Sequence, residues 1–197
     1  YIEGKESGLG IKSGDFNIFD ATILGTGEDQ TPTTGNNNGI NPSGVAIQIE
    51  SNPGYAGNIE LDIKKGTFKS NNSNAIYEYT VNNSNTSVNS INLTGGKYLS
   101  GNSKPVIVTS EKFKDANSKF ISGGTYSTDP TNYLKSGYTT TLNSNSLYEV
   151  ISSTISVFNS NEIENNGLSK LIITIGSIII LGIILYLNRK KIFSFIR

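Results

Sequence analysis

Four times in its first 126 residues the chain repeats a short signature: an apolar residue, two others, a glycine, one more residue and an aromatic ring. The copies are Ile11-Lys12-Ser13-Gly14-Asp15-Phe16, Ile63-Lys64-Lys65-Gly66-Thr67-Phe68, Leu93-Thr94-Gly95-Gly96-Lys97-Tyr98 and Ile121-Ser122-Gly123-Gly124-Thr125-Tyr126. Self-similarity of this kind marks one structural unit stacked on itself. The rings stand 52, 30 and 28 residues apart, so the first interval reads as two units and the others as one each. Short apolar runs travel between the signatures: Gly44-Val45-Ala46-Ile47-Gln48-Ile49, Asn74-Ala75-Ile76-Tyr77, Pro105-Val106-Ile107-Val108 and, more weakly, Gly8-Leu9-Gly10-Ile11. Each unit therefore predicts two or three strands of a few residues, separated by Gly, Asn and Ser turns. Apolar residues at three and four spacing, which a helix would need, are missing before residue 168.

The fold these features predict is all-β, a parallel β-helix or solenoid. Coils stack about 4.8 Å apart, with inward Ile, Leu, Val, Phe and Tyr resting on their counterparts in the coil below. The glycine before each ring suits a corner with positive φ, which a Cβ opposes. Asn is the next best residue at such corners, which predicts positive φ in runs such as Asn71-Asn72-Ser73-Asn74 and Asn82-Asn83-Ser84-Asn85.

The signature Gly-Gly-Thr-Phe/Tyr with a following Ala-Ile run resembles the right-handed parallel β-helix of the pectin-lyase-like group, in the form found in bacterial cell-surface proteins of adhesin or carbohydrate-binding type. The stretch from Ile121 through Tyr138 to Leu147-Tyr148-Glu149-Val150 resembles the segment that closes many of those solenoids. The resemblance covers roughly residues 1 to 150. It implies coils over residues 1–126 and a closing segment over 127–150. A last strand and a polar stalk are expected over 151–167.

Leu171 to Leu187 carries no charge and is flanked by Lys170 and by Asn188-Arg189-Lys190-Lys191. Seventeen residues at about 1.5 Å each give roughly 25 Å, and Leu168, Ser169 and a snorkelling Lys170 extend this to the ~30 Å of a bilayer core. A transmembrane helix is expected over 168–188, with a basic cytoplasmic tail over 189–197. Arg189, Lys190, Lys191 and Arg197 follow the span, whereas Glu162 and Glu164 precede it, so the positive-inside rule places the solenoid outside the cell. Tyr186 falls at the inner interface, where amphipathic rings are favoured. The sorting sequence Leu-Pro-x-Thr-Gly is absent before the span, so the helix is expected to persist as a single-pass anchor. Gly176 and Gly182 are six apart rather than four, so helix dimerisation is not indicated. No Met is present and the chain opens within a coil, which predicts the C-terminal part of a longer exported protein.

Without Cys there is neither a disulfide framework nor a thiolate metal site, and no cofactor or metal is indicated. Before the tail the chain holds 12 basic and 16 acidic residues, a balance that argues against nucleic acid as a partner. The part before the span has no His, Cys, Arg or Trp, which removes most nucleophile and base arrangements. Pectate lyases, which this architecture resembles, use an arginine base and an acidic calcium cluster, and that arginine is missing here. A glycosidase-like carboxylate pair would have to come from Asp15, Asp20, Glu28, Asp29, Glu50, Glu60, Asp62, Glu78, Glu111, Asp115 or Asp129. Of these, Glu60 and Asp62 share one face of a strand about 7 Å apart, as an outward solvated pair does. Glu28 and Asp29 sit in the long Gly25 to Asn41 loop, a length associated with function or with disorder. Its spacing matches no EF-hand or nonapeptide calcium repeat.

Sugar rings stack on exposed aromatics, and Tyr55, Tyr77, Tyr79, Tyr98, Tyr126, Tyr133 and Tyr138 are available. Tyr77 and Tyr79 share one side of a strand, whereas the signature rings belong to the core. The sequence thus predicts a membrane-anchored extracellular rod, an adhesin or glycan-binding protein with a polysaccharide or a host or matrix surface protein as partner, ligand residues Tyr77, Tyr79, Glu28 and Asp29, and no catalysis of its own. The alternatives are a surface lyase or glycosidase with its active site upstream, and a passive stalk displaying another domain.

Overall fold

The computed structural model describes residues 1–29, 44–51, 57–80, 87–111, 113 and 118–153. The predicted transmembrane helix and tail, with Leu171, Tyr186, Leu187, Arg189, Lys190 and Lys191, lie outside these residues, as do the stalk, most of the Gly25 to Asn41 loop, Tyr55, Asp115 and the Asn82 to Asn85 run. Among the described residues no helix is long and apolar enough to cross a membrane.

The described residues are mostly β, and the strands from β1 to β12 associate in parallel. They are β1 (Ile2–Gly4), β2 (Ser7–Ile11), β3 (Gly14–Ile18), β4 (Thr22–Gly25), β5 (Val45–Ser51), β6 (Asn58–Ile63), β7 (Thr67–Ser70), β8 (Ile76–Thr80), β9 (Ser87–Leu93), β10 (Lys97–Leu99), β11 (Ile107–Val108), β12 (Thr125–Tyr126), β13 (Tyr138–Leu142) and β14 (Tyr148–Ser152). Sheet I runs β1-β4-β7-β10-β12-β14-β13, sheet II runs β11-β8-β5-β2 and sheet III runs β3-β6-β9. From β2 to β11 successive strands therefore visit sheets II, III and I in turn, each returning beside the strand three before it, an arrangement consistent with a β-solenoid.

The apolar runs build sheet II: Leu9 lies beside Ile47, Ile47 beside Ile76, and Ile76 beside Ile107. Alternation with period two turns Ile11, Ile47, Ile49, Ile76 and Ile107 into the core, joined by Ile59, Leu61, Ile63, Ile91 and Leu93 from sheet III. On sheet I, Phe68 stacks on Tyr98 at 5.0 Å and Tyr98 on Tyr126 at 4.8 Å, the spacing of adjacent strands. The buried Tyr98 and Tyr126 hydroxyls each donate to a backbone carbonyl three residues back, Gly95 O and Gly123 O, both at 2.8 Å. Burial pushes both hydroxyls above the ordinary tyrosine range.

The first signature differs from the other three. Phe16 lies on β3 beside Leu61, and the residue beside Phe68 is Ile23. Registers align Ile18 with Ile63, Ile63 with Leu93, and Leu93 with Ile121, steps of 45, 30 and 28 residues. The early interval is therefore one coil carrying an insertion between Gly25 and Val45, rather than two coils. Gly14, Gly66, Gly96 and Gly124 nonetheless all have positive φ, so the signature marks a corner wherever it occurs.

The asparagine expectation is corrected as well. Among the described residues the only Asn with positive φ is Asn102. Asn72 instead donates its side-chain amide to Gly27 O at 2.9 Å, and Asn74 to Pro105 O at 2.6 Å. These amides bridge neighbouring coils at the corner between sheets I and II, satisfying carbonyls that the turns leave without strand partners.

The stack closes with an antiparallel hairpin. β14 pairs antiparallel with β12 and with β13, while Leu134 bridges Ile121. On the other side of the core Glu78 is fully buried, and its Oε2 accepts from Ser110 N at 2.7 Å and Ser110 Oγ at 2.8 Å.

Candidate functional site

Strand β8 alternates Ile76 and Glu78 toward the interior with Tyr77 and Tyr79 on the outer face of sheet II. Both tyrosines are half-buried, their planes lie within 19° of each other, and their centroids are 6.4 Å apart, the pitch of alternate residues on a strand. The register places Gln48 beside Tyr77 and Glu50 beside Tyr79 on the neighbouring β5, with Val108 on the other side of Tyr77.

Gln48 and Glu50 are buried although they alternate away from the core-facing Ile47 and Ile49. Gln48 Nε2 donates to Glu50 Oε2 at 2.9 Å, and Lys12 Nζ stands 3.8 Å from the same oxygen. A buried carboxylate requires such compensation.

At the corner where the chain enters β8, Asp29 reaches across two coils. Ser73 Oγ donates to its Oδ1 at 2.7 Å, and Lys104 Nζ lies 2.5 Å from its Oδ2. The Lys104 ammonium is the largest influence holding the Asp29 carboxyl below the ordinary carboxylate range; Ser73 acts in the same direction and partial burial opposes them. Burial is likewise the main cause pushing the Tyr77 hydroxyl up, reinforced by the charges of Tyr79, Glu78 and Asp29. Asp29 thus stands at the turn that leads into β8, through Ser73, and the tyrosine pair lies along the strand. Glu28, beside Asp29 in sequence, is exposed.

Because the Asp29 value is depressed in the folded state, its ion pair contributes stability that is complete above the ordinary carboxylate range of about 4 and is lost as pH falls through the depressed value. Lys104→Gln is expected to raise the Asp29 titration midpoint toward that ordinary range, read from its carboxyl carbon by NMR. An unchanged midpoint would show that Lys104 is not the group responsible.

The remaining acidic candidates are dispersed. Glu60 and Asp62 do share the outer face of β6, beside Asp15 and Asn17 on one side and Ser90 and Asn92 on the other. Asp20 pairs with Lys65 at 2.6 Å on the exposed surface, and Asp129 Oδ1 accepts from Thr131 N at 2.9 Å. Glu78 is committed to Ser110, and Glu111 is exposed. Among the described residues no three His, Cys, Asp or Glu form a group able to hold a metal ion. Of the other tyrosines, Tyr98 and Tyr126 are buried, Tyr133 packs against Phe120, and Tyr138 is exposed at the start of the closing hairpin.

Lys104, Ser73 and Gln48 were absent from the sequence-based site. The signal that locates them is the coil period: Ser73 and Lys104 occupy equivalent turns before β8 and β11, and Gln48 stands one coil before Tyr77. With the insertion miscounted as a coil, that period could not be projected onto Asp29.

No family model, curated protein or solved structure matches this chain.

Proposed function

We propose that this chain is a cell-surface rod: a right-handed parallel β-helix outside the cell, held by a single C-terminal transmembrane helix, that acts as an adhesin by binding glycans on the outer face of sheet II. The observation that carries this reading is the near-parallel Tyr77 and Tyr79 pair on β8, with the Asp29–Lys104 ion pair at the turn leading into that strand. Ring faces suit the apolar faces of pyranoses. A carboxylate and an ammonium supply acceptors and donors for hydroxyls. The uncharged run from Leu171 to Leu187 and the basic residues after it support the anchor and its orientation.

The state of Asp29 argues against its serving as a general acid. A general acid must be protonated near neutral pH, and a carboxyl held below its ordinary range by an ammonium is ionised there.

The test uses the full 197-residue chain in mild detergent, applied to bead-coupled polysaccharides, with retention and new reducing ends both scored. Retention without new reducing ends is expected, and Tyr77→Ala or Tyr79→Ala should each lower it about tenfold, as loss of an aromatic anchor does. Release of reducing ends would overturn the binding-only reading, and retention unaffected by both substitutions would overturn the site.

A further inference from the structure

We infer that the polysaccharide taken by Tyr77 and Tyr79 is uncharged, with the Asp29–Lys104 pair reading its hydroxyls rather than a carboxylate or an amine. This rests on the glycan-binding reading and names the ligand class of the same site. The argument is one of charge compensation. The two carboxylates flanking the rings are Glu50, beside Tyr79 in the register, and Asp29, at the turn leading into β8. Each has an ammonium near it, Lys12 Nζ at 3.8 Å from Glu50 and Lys104 Nζ at 2.5 Å from Asp29.

A uronate chain laid on the rings would bring its carboxylates to lysines already neutralised, with the exposed Glu28 adding repulsion. An amino-sugar polymer would meet carboxylates equally compensated. A neutral diol suits this pair, because its hydroxyls both donate and accept. Two contacts, from Ser73 and Lys104, leave part of the Asp29 acceptor capacity open, and Lys104 has three donors of which Asp29 takes one. The lysine is 43% exposed and the aspartate 28%, so both can be reached from solvent.

The experiment compares retention of the full chain, in mild detergent, on beads carrying a neutral β-glucan, polygalacturonate or chitosan, at low and at raised salt. Wild type should be held by the glucan with little effect of salt, and weakly by the two charged polymers. Asp29→Asn leaves Lys104 uncompensated, so polygalacturonate retention should rise about tenfold at low salt and fall on adding salt, while glucan retention falls with the lost hydroxyl acceptor. Lys104→Gln should produce the mirror result on chitosan. A purely structural role for the pair would lower retention on every polymer together and would not exchange one preference for another.

Wild type preferring polygalacturonate or chitosan, with salt sensitivity, overturns the uncharged-ligand inference and leaves the glycan reading standing. Retention on none of a broad set of polysaccharides overturns both. Circular dichroism of each variant verifies that its β signal is intact. If one variant fails to fold, the other and the wild-type polymer preference still decide the inference.

Discussion

Tyr98→Ala is expected to lower folding stability by about 4 kcal/mol, as large-to-small replacement of a core aromatic does. The ring is fully buried between Phe68 and Tyr126, within 19° and 8° of parallel with them, so its removal breaks two stacks and opens a cavity bounded by both. Each coil is supported mainly by the coils above and below it, and the loss falls in the middle of the ladder. Tyr98→Phe retains the ring and deletes only the hydrogen bond to Gly95 O, and should cost about 1 kcal/mol. Urea unfolding of the full chain in detergent measures both. Equal losses for the two variants would show that the hydroxyl, and not the ring stack, carries the stabilisation.

Gly95→Ala is expected to cost about 3 kcal/mol, the upper part of the range for overpacking. A methyl group there would overlap the carbonyl oxygen of Lys64, a backbone atom in the corner just after β6, where Lys64 N donates to Ile18 O of the coil before. The coils would have to separate at that corner to admit it. Gly137, with φ +83° and no atom within 4 Å of the position a methyl would take, gives the contrast. Gly137→Ala carries backbone strain alone and should cost about 1–2 kcal/mol. The prediction fails if Gly95→Ala is tolerated as well as Gly137→Ala in the same unfolding experiment.

This distinction bears on how the signature is read. In Gly95-Gly96 the first glycine is needed for close approach to the coil below and the second for its φ of +99°. Together with the inward alternation of Ile47, Ile49, Ile76 and Ile107, these local demands made the strands, corners and core stripe legible from residue types. Strand alternation has period two wherever it occurs, so no long-range information is needed to see it.

Coil equivalence was less legible. Gly14-Asp15-Phe16 satisfies the same local pattern as Gly66-Thr67-Phe68 yet belongs to a different sheet. A positive-φ turn followed by a ring can stand at any corner, and which corner it occupies is settled by the strand it pairs with. The asparagines were misassigned for a related reason. Their composition suggested backbone conformation, whereas Asn72 and Asn74 use their side-chain amides to reach the neighbouring coils.

The site divides along the same line. That Tyr77 and Tyr79 share a face follows from alternation on one strand. The company those rings keep depended on the folded coils: Ser73 meets Asp29 across 44 residues, Lys104 approaches from the coil beyond, and Glu50 is buried beside Tyr79 with Gln48 and Lys12 near its charge. Strand faces are imposed by backbone geometry within a few residues. Register between coils is imposed by stacking over insertions of unequal length, and only the assembled stack brings those side chains to the two ends of β8.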